Sequence, residues 1–394
     1  MTIPRAARVE RLRPSATVSI TTKAMALEAA GRDIIRLSVG EPDFDTPAHI
    51  KQAAIEAIQA GATKYTALDG TGGLKAAIQQ KFEHENHLSY PLDQILVSNG
   101  AKQSCFNLCL SLLDQGDEAI IPAPYWVSYP EMVRMAEAEP VFVKTTAASG
   151  FLMQPAQLAA AITPATRLLI LNSPGNPTGA VYPREALEAL GDVLREHPKI
   201  VVMSDEIYEH IQWASGPFTS FAEANPALFD RTLTINGVSK AYAMTGWRVG
   251  YAAGPKELIR AMAAIQSQST TNACSISQAA ATAALNGDKS SVQKMCTEFK
   301  ARHDSVQPLI DAIDGVRCAP SDGAFYLFVD IKDALKHKGL SDDIVFCEGL
   351  LEETGVALVP GTAFGAPGYV RISFAASLEI LKDAIARIRR FAES

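Results

Sequence analysis

The chain has 394 residues, 47% hydrophobic and 20% charged, with 36 Lys and Arg against 43 Asp and Glu for a net charge of -7. This length exceeds what one hydrophobic core usually supports, so two domains are expected, and the composition excludes broad disorder. An acidic balance without a lysine or arginine block excludes nucleic acid and anionic membrane surfaces as partners. No apolar run approaches the roughly 18–20 residues that span a bilayer. Residues 1–10 contain basic side chains but no continuous apolar core, so they do not read as a signal peptide. Six scattered cysteines are too few for a disulfide framework and fit a reducing, cytoplasmic setting. Cys105 and Cys109 read as small buried thiols on one helix. The seven histidines lack zinc-site spacing, so no metal is expected, and His84 and His87 read as solvated.

Along the chain, a short strand at 34–39 leads into Gly40. The run Asp69-Gly70-Thr71-Gly72-Gly73 matches neither a dinucleotide nor a P-loop fingerprint and reads as a turn. Strand-length apolar runs follow at 94–98, 118–122, 141–144, 167–171, 200–203, 232–235 and 248–252. They lack clean polar alternation, as strands covered on both faces do. Helical patterns at 101–113, 127–138, 184–196 and 255–267 lie between or after them. The expected fold class is therefore α/β: a mostly parallel seven-stranded sheet between helices. After about residue 287 the texture changes. A long helix at 290–313 leads to strands at 324–329, 356–360 and 370–374 and helices at 342–353 and 378–391. Residues 46–287 are read as the large domain, and 1–45 with 288–394 as a smaller α+β domain carrying an N-terminal arm.

Three polar sites fall at the C-terminal ends of expected strands: 172–176, Asp205 and Lys240. In an open α/β sheet, ligand crevices form outside those ends. Lys240 offers an amine able to add to an aldehyde and later to shuttle a proton. Asp205 would hold a pyridine nitrogen protonated, and Tyr208 and Asn176 would touch the ring oxygen, the groups that pyridoxal phosphate needs. A surface lysine at a helix start, and an Asp that merely caps a helix, are the bland alternatives. The Pro- and Gly-rich run 172–179 is a rigid turn in either case.

Gly100, Ala101 and Lys102 open a helix after a strand, so free amides there suit a phosphate. Arg248 would clamp that phosphate, with Ser239 assisting. Trp126 either stacks on the ring or belongs to the core. Arg371 lies inside the apolar run 369–374, where arginine needs an anionic partner. A substrate α-carboxylate is the natural one, and an internal ion pair is the alternative.

These residues resemble the class I, fold-type I aminotransferases over nearly the whole chain. Within them the likeness is to the bacterial Iγ (1b) aspartate aminotransferases, some of which accept prephenate. It rests on the stretches 13–17, 40–47, 124–130 and 236–251. The resemblance implies that Gly40, Asn176 and Arg371 hold the α-carboxylate end and that Trp126 stacks on the cofactor. It also implies that Tyr65 reaches the phosphate of a neighbouring subunit, hence a homodimer with shared active sites. The loop 267–272 lacks the arginine that other aspartate aminotransferases lend to their partner. In the 1b group a lysine matching Lys102 grips the distal carboxylate, and Arg13 matches a basic position tied to dicarboxylate and prephenate binding. The loop after Tyr65, Leu68-Asp69-Gly70-Thr71, departs from the group's pattern.

The expected activity is thus transamination between aspartate or glutamate and a 2-oxo acid, with prephenate as a further substrate. Competing readings are an aromatic or broad-range aminotransferase and a C–S or β-eliminating pyridoxal-phosphate lyase. A cofactor-sensing regulator is disfavoured, since the stretch before residue 30 is too short for a winged helix.

Overall fold

A computed structural model of the chain describes residues 3–13 and 16–394. Strand β1 (Ile35–Arg36) precedes seven strands of one sheet: β2 (Ile95–Ser98), β3 (Glu118–Ala123), β4 (Glu139–Lys144), β5 (Thr166–Asn172), β6 (Val201–Asp205), β7 (Thr232–Gly237) and β8 (Gly250–Ala253). Their spatial order is β2-β8-β7-β6-β5-β3-β4. Only β8 is antiparallel to its neighbours. Every residue of β2, β7 and β8 is buried, as double coverage by helices requires, whereas edge strand β4 buries only Pro140 and Val143.

The remaining strands are β9 (Tyr326–Asp330), β10 (Val356–Ala357), β11 (Val359–Pro360) and β12 (Tyr369–Ser373). Strands β11, β12 and β9 form an antiparallel sheet, and β10 pairs in parallel with β1. The expected strand at 356–360 is therefore two strands in two sheets. Leu358 sits between them, and each half finds a different partner. Residues 34–39 extend the second of these pairings: Leu37 N donates to Ala357 O, and Ser373 N donates to Leu37 O.

The expected helix at 127–138 spans only Tyr129–Met135, and the chain leaves it through Glu137 at a φ of 65°. The helices not anticipated include Ala16–Ala29, Ala48–Gln59, Gly72–Asn86 and Ser275–Asn286 and the shorter Pro155–Ala161 and Lys332–Lys338. The turn expected at 69–73 is half right. Thr71 is an N-cap whose Oγ1 accepts from Leu74 N at 3.3 Å, so Gly72 and Gly73 already lie in a helix. Cys105 and Cys109 are fully buried, and His84 and His87 are exposed.

Because β2, β5, β6 and β7 run in parallel, their C-terminal ends share one edge. Register places Asn172 opposite Asp205, and sets Ser98, Gly250 and Gly237 in a row across β2, β8 and β7. The β9–β12 sheet brings Arg371 over the same edge.

Candidate active site

A cavity of about 440 Å³ opens at that edge. Its wall includes Gly40, Ala101, Lys102, Trp126, Asn176, Asp205, Tyr208, Ser239, Lys240, Arg248 and Arg371, all singled out from the sequence. They arrive from seven separate stretches of chain, and all but Arg371, which lies inside β12, come from a strand end or the turn beside it.

Lys240 follows β7, and its Nζ donates to the Gly40 carbonyl. Burial, followed by the nearby Arg371 charge, pushes its ammonium down to about 8. Asp205 ends β6. Burial raises its carboxyl to about 6, although Tyr129 Oη donates to its Oδ2 at 2.6 Å and Ile207 N to its Oδ1 at 3.2 Å. Asn172 Nδ2 donates to the Asp205 carbonyl at 2.9 Å, and Asn172 Oδ1 accepts from Asn176 N at 2.8 Å. The Pro-rich turn is thus tied to the strand that carries the acid.

Arg371 is buried, and its Nη1 donates to Asn176 Oδ1 at 2.9 Å and its Nη2 to Ser38 O at 2.6 Å. Both acceptors are neutral, so the internal ion pair allowed by the sequence is not present among the described residues. Its Nε is buried without a partner. A buried guanidinium with neutral acceptors and an unmet donor suits a ligand carboxylate.

The phosphate end is shaped by two glycines. A Cβ on Gly100 would lie 2.6 Å from Arg248 Nη2, and one on Gly250 would lie 2.1 Å from Ala101 N. Only glycine lets the β2 turn close on the strand and guanidinium beside it. Gly100 also holds a φ of 87°. Ala101–Leu112 begins there, with its first amides free of intrahelical partners. Lys102 Nζ stands 4.8 Å from the Trp126 ring. Its charged form is weakened by burial and then by Arg248. Four cations (Lys102, Lys240, Arg248 and Arg371) thus face two carboxylates (Glu41 and Asp205) around the cavity.

Three of the expected residues are not on its wall: Gly100 (which packs against Arg248), Tyr65 and Arg13. Tyr65 is 90% exposed. Arg13 is exposed, and its backbone N donates to Glu131 Oε2 at 3.0 Å. Sequence reasoning also passed over Tyr129, which lies within the stretch 124–130. It missed Tyr326, whose hydroxyl lies 2.8 Å from that of Tyr208. Tyr326 stands in an aromatic strand and carries no sequence signal that separates it from core.

An open, mostly parallel sheet with a half-buried lysine, a buried acid one strand over and a glycine-built anion cradle defines a pyridoxal-phosphate enzyme of fold type I. The chain belongs to the class I and II aminotransferases, whose family model matches residues 32–388. It is 52% identical to the aspartate/prephenate aminotransferase of Nitrosomonas europaea over 97% of this chain and 98% of that one. The aspartate aminotransferase of Rhizobium meliloti is 49% identical, covering 97% of this chain and 95% of that protein. Among solved structures, a crystal structure of the Rhizobium meliloti aspartate aminotransferase superposes with a TM-score of 0.95 at 46% identity, covering 100% of this chain and 99% of that one. The Thermus thermophilus aspartate aminotransferase with maleate gives 0.93 at 44%, covering 99% and 100%. No helix among the described residues is long and apolar enough to cross a membrane.

Proposed function

We propose that this aminotransferase moves an amino group between aspartate or glutamate and a 2-oxo acid such as 2-oxoglutarate or oxaloacetate, and that it also takes prephenate. The observation that carries this reading is the excess of cations around a cavity into which a half-buried lysine projects. Phosphate and two carboxylates are the anions that such a lining would neutralise. The names of the Nitrosomonas and Rhizobium relatives support the substrate class.

Bound pyridoxal phosphate supplies an electron sink for the substrate's α-carbon. The chain's own residues do the rest. Lys240, lowered to about 8, presents a sizeable fraction of free amine near neutral pH to take the aldehyde. Its Nζ would then be placed to hold and return a proton on the substrate's side of the cavity. Asp205 holds the ring nitrogen protonated, and the pairing in turn offsets the burial that raises its own carboxyl. Tyr208 and Asn176 donate to the ring oxygen. Ser239, Arg248 and the amides at 100–102 hold the phosphate. Trp126 stacks, and Arg371 with Gly40 and Asn176 fixes the α-carboxylate. Lys102 meets the distal carboxylate, with Arg13 at the dicarboxylate and prephenate end.

We read the assembly as a homodimer in which Tyr65 of a second copy completes the phosphate site. The 90% exposure of Tyr65, with Ile55 and Ile58 also outward on Ala48–Gln59, supports this reading. Residues 46–287 form the large domain, and 1–45 with 288–394 the small one, in a cytoplasmic enzyme. The separate sheets support that division.

The test is a half-reaction. Holoenzyme mixed with aspartate is expected to lose the pyridoxal absorbance, gain that of pyridoxamine and release oxaloacetate. A β-eliminating lyase would instead leave aspartate without oxaloacetate release and give ammonia and pyruvate from a donor with a thiolate leaving group on Cβ, such as cystathionine. Lys240→Ala is expected to lose the borohydride-trappable link to the cofactor and nearly all turnover.

A further inference from the structure

We propose that Tyr326 is a positioning residue for this reaction, its hydroxyl holding and polarising the Tyr208 phenol across the gap between the two sheets. The inference rests on the cofactor reading above. Tyr208 follows β6 of the seven-stranded sheet, whereas Tyr326 belongs to β9 of the three-stranded one. Their hydroxyls meet at 2.8 Å in a site where both rings are buried.

Three features fix Tyr326 in that place. Its ring packs edge-on against Tyr208, with centroids 5.9 Å apart. The Arg371 guanidinium carbon lies 4.5 Å from its ring centroid, so a cation sits on its face. Its hydroxyl occupies the space beside Gly40, where a Cβ would come within 2.6 Å of it. Gly40 thus serves the site partly by leaving room for this hydroxyl.

The chemistry follows from the direction of the bond. Arg371 lies closer to the Tyr326 ring, at 4.5 Å, than Lys240 does to the Tyr208 ring, at 5.8 Å, and this makes the Tyr326 O–H the better donor of the pair. Tyr326 then donates to the Tyr208 oxygen and leaves the Tyr208 proton free for the cavity. A phenol that accepts one hydrogen bond donates the next more strongly. Tyr326 would therefore strengthen whatever bond Tyr208 gives to the cofactor's ring oxygen, favouring the form in which that oxygen is anionic.

The experiment is a pH titration of the bound cofactor's absorbance, without substrate, in four holoenzymes: wild type, Tyr326→Phe, Tyr208→Phe and the double variant. Phenylalanine keeps the ring under Arg371 and beside Tyr208, so folding is preserved, and circular dichroism checks it. Tyr326→Phe is expected to raise the absorbance pKa by about half a pH unit, the size that modest strengthening of one charge-assisted hydrogen bond gives. In the Tyr208→Phe background the same change is expected to do nothing, because the phenol that transmits it is gone. An unmoved pKa in Tyr326→Phe overturns the proposal, as does an equal shift in both backgrounds. A protein that acquires no pH-dependent chromophore fails the cofactor reading instead, so the two failures are distinguishable.

Discussion

Tyr129 Oη donates to Asp205 Oδ2 at 2.6 Å, joining the first turn of Tyr129–Met135 to the acid at the end of β6. Burial alone would favour the neutral acid, and this bond opposes that tendency. Both groups are buried, so neither has water to fall back on. Tyr129→Phe removes a hydrogen bond to a charged group, worth about 1.5–3 kcal/mol. Cofactor affinity, read by titrating the apoprotein, is expected to fall by roughly 10- to 100-fold. Unchanged affinity would show that the acid needs no second donor.

Lys102 sits over Trp126 on the cavity wall with no carboxylate partner among the described residues. Lys102→Ala is expected to reduce kcat/KM for aspartate by about 10-fold or more, the value of one charge-assisted contact. Alanine as donor has no distal carboxylate and should lose much less. Measuring both donors side by side decides it, and equal losses would assign Lys102 to the cofactor alone.

The protonation of Lys240 sets a pH dependence. Its ammonium is lowered to about 8, and only the free amine attacks an aldehyde. The rate of cofactor attachment to the apoprotein should therefore climb between pH 6.5 and 8 and level off above that. An unperturbed lysine would keep climbing towards roughly 10.4. Stopped-flow absorbance across that range separates the two curves.

Behind the site, Lys81 and Glu209 form a buried ion pair with side chains only 1% and 4% exposed. Glu209 also accepts from Asn86 Nδ2 and Asn236 Nδ2, each at 2.8 Å, and Asn236 Oδ1 accepts from Gly237 N just ahead of Lys240. Lys81→Met strands a buried carboxylate and is expected to cost about 3–5 kcal/mol in denaturant unfolding. Changing both partners, Lys81→Met with Glu209→Gln, should cost less than the lysine change alone. If the double variant is the weaker one, the pair is a net source of stability rather than a compensated burial.

From sequence alone the seven strands of the central sheet could be located along the chain, and 172–176, Asp205 and Lys240 set at one edge of it; the spatial order, with β8 antiparallel, came from the fold. Continuous apolar runs without alternation can only be doubly covered strands, and parallel strands put their C-terminal ends together. The sequence also singled out Arg371, because a guanidinium inside an apolar strand demands an anion. Local pattern was less able to place Ala48–Gln59, Gly72–Asn86 and Ser275–Asn286. Gly72-Gly73 and the Ala- and Ser-rich 275–286 carry little helical signature until their faces find the core. Only the tertiary structure decided that 356–360 serves two sheets, that Tyr129 holds Asp205 and that Tyr326 reaches Tyr208 from 118 residues away. Such contacts depend on where two chain segments meet in space, and a buried tyrosine looks the same in sequence whether its hydroxyl fills a core or touches an active site.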